Sequence, residues 1–140
     1  MKRMCLLLML FLTPQPTLSQ TETEKENSKI LATNLVECAG LYQALGQVLS
    51  AMGKENAGQT YVDTARGAYL AGAYLQFMMK NIAVWENALF WGENIKETHS
   101  TYWLGLIEMM PPSEDGPFPD TFMEKLGFCA SINSEQTALV

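Results

Sequence analysis

The chain has 140 residues, 48% of them apolar and 17% charged, with 15 acidic against 9 basic side chains and a formal net charge of −6. That length and apolar content suffice for one core and one domain. The acid excess, with no Lys/Arg cluster to offset it, excludes a nucleic-acid binder, since a phosphate backbone would repel such a surface; its ordinary role is solubility.

Lys2 and Arg3 precede an uninterrupted apolar run from Cys5 to Leu12, Pro14 and Pro16 close it, and Thr17-Leu18-Ser19 sets small residues at the two positions that direct cleavage. This is the plan of an export signal over residues 1–19, cut after Ser19, and its apolar run falls well short of the ~20 residues that cross a bilayer. Cleavage removes two basic groups and no acid, so the charge moves from −6 to −8. The expected location is secreted or periplasmic, with the membrane touched only during export. Cys5 leaves with the signal, and Cys38 and Cys129 remain in an oxidising compartment, where a disulfide between them is expected. The alternative is a pair of reduced, buried cysteines acting as small hydrophobes. A bond would close a loop of about 90 residues, for which chain entropy gives on the order of 4 to 5 kcal/mol as an upper figure.

Residues 20–29 are polar, without apolar periodicity, and read as a solvated lead-in. The helical domain spans 30–132. Its first helix is marked by Leu31, Leu35, Cys38, Tyr42, Leu45, Leu49 and Met52, which recur at alternating steps of four and three, and Gly53 is placed to cap it. A second seam follows the same steps through Tyr61, Ala65, Ala68, Gly72, Leu75, Met79 and Ile82. Its middle is small, and with Gly67 and Ala71 it lets a neighbouring helix come close. Gly67 to Trp85 is long and apolar enough to raise the question of a membrane span, but Gln76, Lys80 and Asn81 interrupt it and favour a packing face between helices.

The third seam is Ala88, Gly92, Ile95, His99, Tyr102, Leu106 and Met109, with Glu86, Glu93, Asn94, Glu97 and Ser100 on the outward side. No Gly or Pro separates the second and third helices. A join between Asn81 and Glu86 is expected, because an unbroken helix of about 55 residues is out of scale for a small domain. Pro111 and Pro112 end the third helix, and Ser113 to Pro119 forms an acidic loop. A short fourth helix starts at Asp120 or Thr121, with Glu124 completing a capping box, and buries Phe122, Leu126, Cys129 and Ile132. Residues 133–140 are expected to fray as a flexible tail. The resulting fold is all-α, a small antiparallel bundle of about four helices stapled by one disulfide between the first and the last.

No reaction is written in the motifs. His99 is the single histidine, set between Ile95 and Tyr102 as a core or boundary residue, and neither a nucleophile elbow, a phosphate loop nor a His-Glu-x-x-His helix is present. Met78-Met79 and Met109-Met110 could offer soft thioethers to copper(I), yet adjacent helical residues diverge by about 100° and form no chelate. No cofactor motif occurs. The third helix is heavy in aromatics, and Phe90, Trp91 and Trp103 cannot all point inward together, so they are the candidate partner contact, with the acidic loop beside them. The run Glu37-Cys38-Ala39-Gly40-Leu41-Tyr42 on a first helix, behind a signal and ahead of a lone later cysteine, resembles small exported helical proteins of bacteria and their phages that have no assigned function. The resemblance implies an exported helical domain and no activity.

The leading expectation is therefore a non-enzymatic protein-interaction module with an unknown protein partner. A small-ligand or metal carrier with a pocket between the second and third helices is the alternative. A hydrolase pairing His99 with a carboxylate ranks third. The sequence leaves the oligomeric state open.

Overall fold

The computed structural model of the protein describes the backbone of residues 18–139 and the side chains of residues 22–132. The expected signal therefore lies almost entirely outside the described residues. Four helices pack together: α1 (Leu18–Ala51), α2 (Glu55–Met78), α3 (Trp85–Met109) and α4 (Asp120–Leu139). Cys38 on α1 and Cys129 on α4 form a disulfide with a Cα–Cα distance of 5.5 Å, and both residues are buried.

Helix α1 is the axis of the bundle. From Leu35 to Gly46 only Glu37 and Gln43 are not buried, because the other three helices surround this stretch. The close approach rests on residues without bulk. A Cβ at Gly46 would stand 2.7 Å from the carbonyl oxygen of Gly58, and one at Gly72 would stand 2.8 Å from the carbonyl oxygen of Ala32. These two crossings are 14 residues apart on α1 and 14 apart on α2, so the helices run antiparallel in contact over about 21 Å at helical rise. Ala39, Ala44, Ala65 and Ala68 are buried between them. Helix α3 runs parallel to α1 and meets it at Gly40, where a Cβ would stand 2.5 Å from the His99 Cβ and 2.6 Å from the Lys96 carbonyl oxygen.

The predicted third seam is corrected in part. The buried line on α3 is Ala88, Gly92, Lys96, Ser100 and Trp103, mostly steps of four, whereas Tyr102 and Met109 are exposed. A row of i, i+4 residues is a ridge inclined to the helix axis, so contact made along it wanders off a straight stripe. Ser100 thereby moves from the expected outward side to full burial beside Gly40, whose missing side chain makes the room.

Two helix ends share one device. After α1, Gly53 takes φ 81° while its N–H donates to the Ser50 carbonyl and that of Lys54 to Leu49, a Schellman closure. After α2, the N–H of Lys80 donates to Phe77 and that of Asn81 to Gln76, the same closure, with Lys80 at φ 58° where glycine is usual. The expected break between the second and third helices thus exists, and no helix among the described residues is long and apolar enough to cross a membrane.

At both termini the helices are longer than expected. Residues 20–29 continue α1 as a solvated helix, supported by good helix formers and by an exposed Glu26–Lys29 pair at 4.0 Å. Helix α4 continues through the expected tail to Leu139. Its start is fixed by rings: Phe122 is buried with Trp103 at 5.5 Å and Phe118 at 4.9 Å.

Three outcomes follow for stability. Gly40→Ala should cost about 1–3 kcal/mol through overpacking. Gly105→Ala, where a Cβ meets nothing within 4 Å, should gain about 0.5–1 kcal/mol; urea midpoints of the two variants read both. Lys80→Gly should gain about 0.5–1 kcal/mol by relieving the left-handed backbone, and a lower urea midpoint than the parent would contradict it.

Candidate functional site

The three aromatic residues expected to form a contact separate in the structure. Phe90 is 71% exposed, Trp91 is half-buried against the cluster of Ala32, Leu35, Ala71 and Leu75, and Trp103 is 5% exposed in the main core. Trp103 is thus removed from the contact. Its ring fills the space beside Phe122, and its indole N–H is buried without a hydrogen-bond partner among the described residues. The acidic loop is removed as well. It follows the C-terminus of α3, and Phe90 lies in the second turn of that helix, about 30 Å away at 1.5 Å per residue.

What surrounds Phe90 is a face built by α2 and α3 together. On α2, Leu70, Tyr74 and Phe77 follow at i, i+4 and i+7, so they share one stripe, displaced from the inner seam of Ala65, Ala68, Gly72 and Leu75. Leu70 and Tyr74 are exposed, as is Met78 beyond them, while Phe77 is half-buried edge-on to Trp85 at 5.7 Å. That ring contact, together with Gly92 against Tyr69, sets the register of α2 on α3. In this register Phe90 stands level with the stretch between Leu70 and Tyr74. Small residues on the inner seam let α1 come close, which leaves the larger apolar residues of α2 on the side away from it.

Carboxylates edge the face along α3. Glu86, Phe90, Glu93 and Glu97 follow at i, i+4, i+7 and i+11 and form a single outward stripe. The cation beneath it is Lys96, only 8% exposed, whose Nζ lies 2.9 Å from Glu93, 3.5 Å from Glu97 and 4.7 Å from the centre of the Tyr69 ring. Gln43 of α1 donates to Glu97 at 2.8 Å and ties the stripe to the bundle axis. One buried cation thus serves two carboxylates, and Glu86 has no ion-pair partner among the described residues. On α2, Asp63 is paired with Arg66 at 3.9 Å.

Two other features bear on the alternatives. His99 is a boundary residue: its Nε2 lies 3.8 Å from Glu37 Oε1, while Lys125 Nζ lies 3.6 Å from Glu37 Oε2. The imidazole–carboxylate distance exceeds the reach of about 2.6–3.2 Å that proton transfer uses, and the cluster joins α1, α3 and α4 beside the disulfide. At the α2–α3 interface, where a carrier pocket is expected, a Cβ added at Gly92 would meet Tyr69 in ordinary contact at 3.4 Å. A groove of about 490 Å³ lies instead between α1 and α4, lined by Asn27, Ile30, Leu31, Asn34, Phe128 and Ile132 among others. Among the described residues no three His, Cys, Asp or Glu side chains gather as a metal site. Burial, reinforced by the neighbouring Tyr61, holds Tyr42 above the ordinary tyrosine pKa of 10.0, so it stays neutral in the core.

Comparison with protein-family models, with curated proteins and with solved structures finds no match.

The Lys96 environment yields a graded expectation. Lys96→Met keeps a long stem on the Tyr69 ring and should cost about 0.5 kcal/mol, whereas Lys96→Ala loses both stem and charge and should cost about 1–2 kcal/mol. Equal unfolding midpoints for the two variants would show that the stem contributes nothing.

Proposed function

We propose that the protein is an exported, non-enzymatic interaction module that binds another protein through the outer face of α2 and α3. The observation that carries this reading is the alignment of exposed Leu70, Tyr74 and Phe90 in one antiparallel register. Singly exposed apolar residues are normal on any protein, but a set aligned across two helices is what a docking surface requires. Aromatic anchors supply most of the energy at such surfaces, and Phe90 and Tyr74 are the residues of that kind here. Export is supported by the Lys2/Arg3 and Cys5–Leu12 pattern, and the Cys38–Cys129 disulfide is consistent with an oxidising compartment. In that compartment the disulfide limits unfolding of a small domain without recourse to a larger core.

The test is photocrosslinking in the extracytoplasmic fraction of the native host. A photoreactive phenylalanine analogue replaces Phe90 in one preparation and Met123, an exposed residue of α4, in another. A discrete adduct is expected from position 90 and not from position 123, and Tyr74→Ala introduced beside the probe should reduce it about tenfold or more. Equal adducts from both positions, or none from position 90, would defeat the reading.

A further inference from the structure

We infer that the occupant of the α2–α3 face is a basic amphipathic helix of a partner protein, an inference that rests on the proposed use of this face for docking. Helices α2 and α3 form an antiparallel layer with two sides, and α1 lies along the inner one, where Gly72 and Gly92 meet Val36. Two packed helices leave a furrow along each side of their line of contact, and on the outer side Leu70, Tyr74 and Phe77 recur at helical spacing. A ligand helix with anchors at i, i+4 and i+7 matches such a furrow, whereas an extended strand would find no unpaired backbone edge to join.

The charge along the rim selects the sign of the ligand. Glu86, Glu93 and Glu97 flank Phe90 on the α3 side, and the single cation among them, Lys96, is buried under the stripe and already shared by two of the three. Arg66 on the α2 side is engaged by Asp63. Glu93 and Glu97, one turn apart, repel each other wherever Lys96 does not screen them. Lys or Arg side chains along the edge of a ligand helix would neutralise this rim while its apolar stripe covers Leu70, Tyr74 and Phe90. An acidic ligand, or an anionic membrane surface, would meet like charge at the edge of the same apolar patch.

The experiment titrates the intact disulfide-bonded protein with three synthetic peptides of about 20 residues: a Leu/Lys amphipathic helix, the same composition scrambled to destroy the apolar stripe, and a Leu/Glu helix of the same pattern. The first should bind at least about tenfold more tightly than either of the others. Phe90→Ala should weaken it about tenfold. Glu86→Lys should weaken the Leu/Lys helix and strengthen the Leu/Glu helix, and raising sodium chloride to about 0.5 M should weaken the former severalfold. Equal binding of the scrambled peptide would reduce the effect to ion exchange and overturn the inference, as would equal binding of the Leu/Glu helix. Tighter binding to vesicles of phosphatidylglycerol than to the Leu/Lys peptide would overturn it in favour of a membrane surface. Should the position-90 crosslink find a partner while the Leu/Lys peptide fails to bind, the docking face stands and the basic helix is wrong; failure of both removes the face itself.

Discussion

The rest of the molecule depends on how closely the backbone of α1 is approached by α2 and α3. At Gly46 against Gly58, at Gly72 against Ala32 and at Gly40 against Lys96 and His99, the contact is backbone to backbone or backbone to Cβ. Packing of this kind gains many dispersion contacts from few side-chain atoms and allows almost no slack, since even one methyl group at these points has nowhere to go. It also fixes direction: the paired crossings hold α1 and α2 antiparallel over their shared length, and the Gly40 and Gly92 contacts hold α3 parallel to α1. The disulfide then adds α4 to an arrangement that is already determined. The buried residues α4 brings among those described are Phe122 and Cys129, and its Lys125 reaches Glu37, so its attachment relies more on the covalent link than does that of α2 or α3.

A core made from small residues has a consequence on the opposite side of the same helices. Helix α2 is apolar beyond what its inner seam needs, and a seam of Ala and Gly cannot absorb leucine or tyrosine. Leu70, Tyr74 and Met78 are therefore exposed, and Phe77 is only half-covered by Trp85. The tight interior and the aromatic exterior are two results of one constraint.

Much of this was legible in the residues. The alternating four-three steps gave the four helices, the paired cysteines on inward positions gave the staple, and the small residues around Gly72 announced a close crossing. What escaped did so for identifiable reasons. The break between α2 and α3 has no glycine because Lys80 adopts the left-handed conformation itself, at a conformational cost that the Gln76–Asn81 hydrogen bonds and the surrounding closure offset. Ser100 and Lys96 were unreadable as buried positions because their burial depends on Gly40 of another helix, a long-range fact that local periodicity does not carry. Residues 20–29 are helical through propensity rather than through burial, so an apolar pattern could not reveal them. The outer stripes were present as patterns all along: Leu70, Tyr74 and Phe77 repeat the spacing of Ala68, Gly72 and Leu75 two residues later, and Glu86, Phe90, Glu93 and Glu97 repeat that of Ala88, Gly92, Ile95 and His99 two residues earlier. A reading that assigns one seam to each helix stops before it reaches a second.

The outer face of α2 and α3 differs from the ordinary exposure of single apolar side chains. Met52, Met109 and Met123 are exposed too, each at a helix end or on a separate surface, as is ordinary for apolar side chains, while Ile30 and Phe128 line the groove between α1 and α4. Phe90 differs in two respects. It has neighbours of the same character on a second helix at the same level, and it lies within a stripe of carboxylates two of which share the buried Lys96. Phe90 lies on the outward stripe of α3 and is 71% exposed. A residue placed there contributes little to stability whatever its identity, and the proposed docking role is one in which a large ring has a physical effect.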